Sequence, residues 1–198
     1  MRAYECNLRI DRRFILSPLL LLRRIGFLAF WFVSSVAMAQ SGPTAPTLKS
    51  VLVEQLRGTH NHEEWFVPLK IAIEGLTPEQ ASWKDETENH SIAQLVNHLI
   101  FWNQQYLAKF KGDKPAAFDG DNKETFAGLD KTTWEASVKQ VDEVLTAWEK
   151  AIEEADDAKL AKWSSTIARI STHNAYHTGQ IIYIRKMKGN WDSAKGVK

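Results

Sequence analysis

From Leu48 onward the apolar residues recur every three or four positions, and no stretch keeps the period of two that a half-buried strand requires. The pattern predicts an all-α fold: a four-helix bundle with a long connection between its second and third helices. The first helix is expected over Leu48–Glu74, kinked or divided by Pro68, which removes a donor and crowds the preceding turn. Gly75-Leu-Thr-Pro ends it, and Thr77-Pro78-Glu79-Gln80 reads as a short helical turn with Thr77 as its cap. The second helix starts at Ser91 and runs to about Phe110. Its stripe of Ile92, Leu95, Leu99, Trp102 and Tyr106 is spaced 3-4-3-4, and Gly112 stops it. The third is expected over Thr132–Glu154, with Trp134, Val138, Val141, Leu145 and Trp148 inward and Thr132 with Glu135 at capping-box spacing. The fourth is expected over Ser165–Lys188, with Lys186 and Lys188 suiting the helix dipole and Gly189 as the glycine beyond its end. Between the second and third helices, Lys111–Asp130 is polar and holds Pro115, Gly120 and Gly128. Roughly 18 residues can run the ~30 Å length of a bundle, so this connection can cross over.

The front of the chain follows a different pattern. Residues 1–39 carry six arginines and no lysine, and hold the longest apolar run, Ile25–Val36, behind Arg23-Arg24 and ahead of Ala37-Met38-Ala39. A positive segment, a short apolar core and a small-x-small site describe a secretory signal peptide cleaved near Ala39/Gln40. The run falls short of the ~20 residues of a spanning helix. The competing reading is an uncleaved anchor, which draws on Leu19–Leu22. Neither Arg12-Arg13 nor Arg23-Arg24 sits in a clean twin-arginine export motif. The expected organisation is a signal peptide over 1–39, a linker over 40–47, the bundle over 48–191 and a flexible tail over 192–198. The expected location is periplasmic or secreted.

Losing that segment changes the charge. It holds six arginines against Glu5 and Asp11, so the whole-chain +1 becomes −3 for the remaining 159 residues. A slightly acidic domain without a basic stripe is not expected to bind nucleic acid. After cleavage no membrane partner is expected either. Cys6 is the only cysteine and leaves with the signal, so the mature chain has no disulfide and no thiolate nucleophile.

All six histidines lie in the mature part: His60, His62, His90, His98, His173 and His177. At ~100° per residue, His173 and His177 fall within about 40° of the centre of the Ile170, Ile181, Ile184 stripe, in core positions that no large aliphatic fills. Unpaired, such buried polar side chains cost roughly 1–3 kcal/mol each. The i, i+4 spacing sets two imidazoles side by side, as in H-E-x-x-H zinc sites, but Asn174-Ala175-Tyr176 between them supplies no glutamate base. On spacing alone, a shared metal ion and hydrogen bonds across the bundle both account for the pair. His98 lies at the edge of its helix's stripe, beside Trp102 and Gln94, and by itself reads as a boundary histidine.

Three stretches resemble the DinB-like family of four-helix bundles with a three-histidine metal site. They are Glu74-Gly-Leu-Thr-Pro-Glu-Gln-Ala81 followed by Trp83; His90-Ser-Ile-Ala-Gln-Leu-Val-Asn-His-Leu-Ile-Phe-Trp102; and His173-Asn-Ala-Tyr-His-Thr-Gly-Gln-Ile181 with Gly189-Asn-Trp191 after it. The family pattern has one ligand histidine on the second helix ahead of a tryptophan, and two on the fourth, four apart, before Gly-Gln. The resemblance therefore implies that His98, His173 and His177 bind a divalent metal. Where some relatives carry Trp-His-Gly-Pro, this chain has Trp65-Phe-Val-Pro68, so His60 and His62 are read as exposed helix residues outside the site. His90 is read as a helix-entry residue.

Three neutral imidazoles leave a coordination position open, as in catalytic zinc sites. All-nitrogen donors suit Zn, Ni, Fe or Mn alike. Gln180 is the best-placed candidate to support a ligand, and Gly179 a point where a helix or ligand comes close; the seven mature tryptophans are read as bundle core and boundary residues, Trp102 being the one that could also wall a pocket. Glu63 and Glu64 are read as surface charge, which leaves no catalytic acid or base assigned. The resemblance implies a metal-dependent hydrolase or thiol-linked transferase; the alternative is a non-catalytic scavenger or sensor. A small-molecule substrate and a second copy of the chain are the partners left open.

Overall fold

The structure, a computed structural model, describes residues 45–87, 89–127 and 133–196. The signal-peptide reading of residues 1–39 and the capping role of Thr132 lie outside the described residues. Six helices are present among the described residues: α1 (Leu48–His60), α2 (Leu69–Ile73), α3 (Pro78–Ser82), α4 (Ile92–Lys111), α5 (Trp134–Glu154) and α6 (Asp157–Met187). Single 3-10 turns lie at Asn122–Phe126 and Ser193–Lys195, and no strand occurs among the described residues. The all-α expectation holds. None of these helices is long and apolar enough to cross a membrane.

Local chemistry sets most boundaries where the pattern places them. Thr77 and Ser91 each form a full capping box, with Gln80 and Gln94 returning the hydrogen bond. Gly112 and Gly189 take φ of +89° and +64° beyond α4 and α6, a conformation that costs other residues more.

Three boundaries differ. The first helix divides at Asn61 rather than at Pro68, because His62, Glu63, Glu64 and Trp65 are all exposed and give a continuing helix no face to bury. Helix α5 begins at Trp134, after Thr133 instead of Thr132, and Thr133 makes no side-chain capping bond. Helix α6 begins at Asp157, well before Ser165. Asp156 caps it by accepting from the Lys159 amide at 2.7 Å, and Leu160 in its first turn is completely buried.

Helix α1 packs on α5 and α6, and α4 packs on the same two, so α1 and α4 lie across the diagonal of the bundle. Cross-helix contacts give the directions. Lys49 at the start of α1 bonds the carbonyl of Glu153 at the end of α5, while His60 at the end of α1 reaches Asp142 and Glu149. These two helices are therefore antiparallel. Phe110 late in α4 meets Trp163 early in α6 edge-on, and His98 early in α4 meets His173 late in α6, so this pair is antiparallel too. Trp148 late in α5 bonds the Asn103 carbonyl and packs on Phe110, whereas Trp134 at its start bonds Leu76 just ahead of α3. Helices α4 and α5 thus run parallel, and the connection between them is the expected crossover.

That crossover runs back along α4. Gln105 bonds the Ala116 carbonyl, Trp102 bonds Asn122, and Asn97 bonds the carbonyls of Thr125 and Ala127. Its 3-10 turn is closed by an Asp121–Glu124 capping box and buries Thr125 and Phe126. The core beneath is filled by Leu56, Leu99, Leu145, Trp148, Ile152, Ile167 and Ile181. Each such aliphatic contributes about 1.5–3 kcal/mol on burial.

Candidate metal centre

His98 projects from the second turn of α4, and His173 and His177 from adjacent turns of α6. Nε2 of His173 stands 3.0 Å from Nε2 of His98 and 3.1 Å from Nε2 of His177, and the three ligand atoms lie within 4.8 Å of one another. Donors at about 2.1 Å from a common metal stand about 3.0 Å apart at a right angle and about 3.4 Å apart at the tetrahedral angle. The two spacings fit the right-angle end of that range.

The outward nitrogens settle which ring atoms carry protons. Thr125 Oγ1 lies 2.5 Å from Nδ1 of His98 and gives its own proton to the Asn122 carbonyl at 2.6 Å. It can only accept from the imidazole, so His98 is protonated at Nδ1 and keeps a lone pair at Nε2. Gln180 Oε1 accepts from Nδ1 of His177 at 2.6 Å with the same result. Two Nε2 lone pairs therefore face Nε2 of His173, which has a single proton to offer. This donor set fits a divalent cation, and the outward hydrogen bonds are the ones that orient histidine ligands. Gln180 stands where the sequence reading put it. Thr125 was not anticipated, because nothing in the polar connection marks it.

Burial favours the neutral rings. It pushes the His98 imidazole down to about 3, with His177, His173 and His90 adding repulsion. Burial and His177 push His173 down to about 4. His177 is lowered as well, burial again being the main cause, against the hydrogen bond to Gln180.

One detail of the α6 seam differs from the pattern. Between Ile170 and Ile181 the deepest positions are Asn174 and Thr178, at 0% and 1% exposed, while His177 is buried and His173 half-buried. The histidines flank the seam because Asn174 faces α4 and bonds Asn103 at 2.8 Å.

The other histidines separate into distinct roles. His90 does not join the converging nitrogens. It stacks on Phe126 at 3.7 Å between centroids, and Phe126 stacks on His98 at 4.0 Å, both nearly parallel. His62 is exposed, as are Glu63 and Glu64. His60 corrects the expectation of an exposed residue: it is 2% exposed, with Nδ1 2.6 Å from Glu149 and Nε2 3.1 Å from Asp142. The first helix ends at His60, and the ring turns into the α1–α5 interface. Gly179 also differs from expectation, since nothing lies within 4 Å of where its Cβ would stand.

A sequence model of the DinB superfamily matches residues 69–181. The chain belongs to the DinB superfamily. The matched span runs from α2 to the last turns of α6 and contains all three converging histidines. No curated protein and no solved structure matches the chain. In this DinB-superfamily member the histidines open onto a cavity of about 480 Å³, within the range of small-molecule sites. Trp102, Tyr106, Phe126, Ile170 and Tyr176 wall it, with Asn122, Thr166 and Arg169 as further polar lining. Trp102 thus takes the pocket-wall position rather than the purely core or boundary role that the pattern favours for the tryptophans. No carboxylate lines the cavity among the described residues.

Proposed function

We propose that the protein is an exported DinB-superfamily metalloprotein that binds a divalent cation through Nε2 of His98, His173 and His177 and presents it to a small molecule in the adjoining cavity. The observation that carries this reading is the convergence of three imidazole nitrogens, with Thr125 and Gln180 within hydrogen-bond distance of the outward nitrogens of His98 and His177, where they favour the tautomers that leave both inward lone pairs free. A bound metal would supply Lewis-acid polarisation of a substrate or stabilise a thiolate. The protein's own residues would do the rest. The imidazoles stay neutral, Thr125 and Gln180 keep them oriented, and Trp102 and Tyr106 exclude water from one wall. The enzymatic form of the reading is a metal-dependent hydrolase or thiol-linked transferase.

The second reading, a non-catalytic scavenger or sensor, is favoured by the cavity's lack of a carboxylate. Hydrolysis at such a centre wants a general base within hydrogen-bond reach, and none of the lining side chains is a carboxylic acid.

Metal analysis of protein purified without a histidine tag, beside His98→Ala and His173→Ala, tests the central claim. Wild type should retain close to one equivalent after mild dialysis and each variant much less. Equal metal content in all three overturns it. The export proposal rests on the arginine-led apolar segment. The mature protein should begin near Gln40, and an intact N-terminus on the exported protein would refute cleavage.

A further inference from the structure

Three arginines lie among the described residues, and two are committed. Arg57 pairs with Glu149 and Glu153, at 3.5 and 2.6 Å. Arg185 is buried and bonds the carbonyls of Ala72, Glu74 and Asn190. Among the described residues Arg169 has neither an ion pair nor a hydrogen bond, and its exposed side chain lines the histidine cavity. It stands four residues before His173, on the face of α6 that also carries Thr166, Ile170 and His177. The cavity's charged and polar lining is therefore one guanidinium, the three histidines and neutral groups, with no acidic group among the described residues to balance them.

We infer that the cavity selects a small organic carboxylate with an aromatic or apolar body. The anionic group is held on the side shared by Arg169 and the histidine centre, and the body lies against Trp102, Tyr106 and Tyr176. This deepens the functional proposal and rests on it. The planar guanidinium fork matches a carboxylate with two parallel hydrogen bonds, which a neutral amide cannot accept from both arms. Tyr106 and Trp102 are tilted against each other at 6.0 Å, forming a continuous aromatic wall. The Trp102 indole is fixed by its hydrogen bond to Asn122 at 3.1 Å, so the wall is set before a ligand arrives.

The test uses the full chain without a histidine tag, loaded with zinc, with zinc content measured before each titration. Benzoate and its neutral isostere benzamide are titrated by calorimetry. Benzoate should bind at least tenfold more tightly than benzamide. Arg169→Gln should remove most of that preference while keeping the zinc, and Lys186→Gln, which removes a charge from the same helix outside the cavity, should change nothing. Equal binding of the two probes overturns the inference. So does an Arg169→Gln protein with unaltered benzoate affinity, or no benzoate binding to zinc-loaded wild type. Those results leave metal binding intact. A wild type that takes up no zinc is recognised before any titration and is loaded with nickel, iron or manganese instead; uptake of none of the four defeats both proposals.

Discussion

Thr125 Oγ1 accepts a hydrogen bond from Nδ1 of His98 at 2.5 Å, across the gap between the crossover and α4. The residue that sets the ring of one candidate ligand thus comes from a segment that looks like a linker. Its hydroxyl proton is already given to Asn122, so the contact works in one direction only.

Thr125→Val keeps the shape and removes the acceptor. We expect metal affinity to fall about 10- to 100-fold, the usual effect of losing such a partner, with the fold retained. Competition against a chromophoric chelator measures this, and Thr125→Ser should restore most of the affinity. Unchanged affinity in the valine variant would mean that the hydroxyl does not orient His98.

The bundle was legible because its signals are local. Caps at Thr77 and Ser91, the left-handed glycines and the 3-4 stripes act within a turn or two. His173 and His177 were legible for the same reason, and Gln180 lies within one turn of its partner. What escaped depends on contacts distant in sequence. Thr125 meets His98 only because the crossover folds back along α4. His60 reads as polar surface, yet partners on α5 bury it. Asn174 takes a core position that the pattern gave to histidine because Asn103 faces it from α4. A buried amide with a matched partner avoids a desolvation penalty of roughly 1–3 kcal/mol, and periodicity cannot show the partner.

Gly179 is an exposed glycine inside α6, and space is open where its Cβ would stand. Gly179→Ala should therefore stabilise the protein by about 1 kcal/mol, read from the urea midpoint. A loss of stability instead would mean that something in the folded protein needs that space.

His60→Leu removes the donor from between two carboxylates. Asp142 retains Lys70 and Glu149 retains Arg57, at 3.0 and 3.5 Å, so neither acid is wholly unpaired. We expect a destabilisation of about 1–3 kcal/mol, the cost of leaving buried hydrogen-bonding groups without their partner, with metal affinity unaltered. His60 does not line the histidine cavity, so a parallel loss of metal would contradict a purely structural role.

The metal-free protein should lose stability as pH falls below about 6.5. In the unfolded chain each histidine takes up a proton near that value. In the fold, burial delays protonation of His173 to about 4 and of His98 to about 3, and lowers His177. Between those limits the unfolded state binds more protons, so stability rises with pH. The contribution is complete above pH 6.5 and is lost progressively below it, by at most roughly 1.4 kcal/mol per pH unit for each histidine and less where solvent reaches the ring. Urea midpoints between pH 7.5 and 5 measure the slope, and a triple His98→Gln, His173→Gln, His177→Gln variant should flatten it. Saturating zinc adds an increment set by its affinity for the folded protein, and because burial keeps the folded His98 and His173 rings neutral down to about 3 and 4 that increment should persist across this pH range. A midpoint independent of pH in the metal-free wild type would mean that solvent reaches these rings in the folded protein as freely as in the unfolded chain.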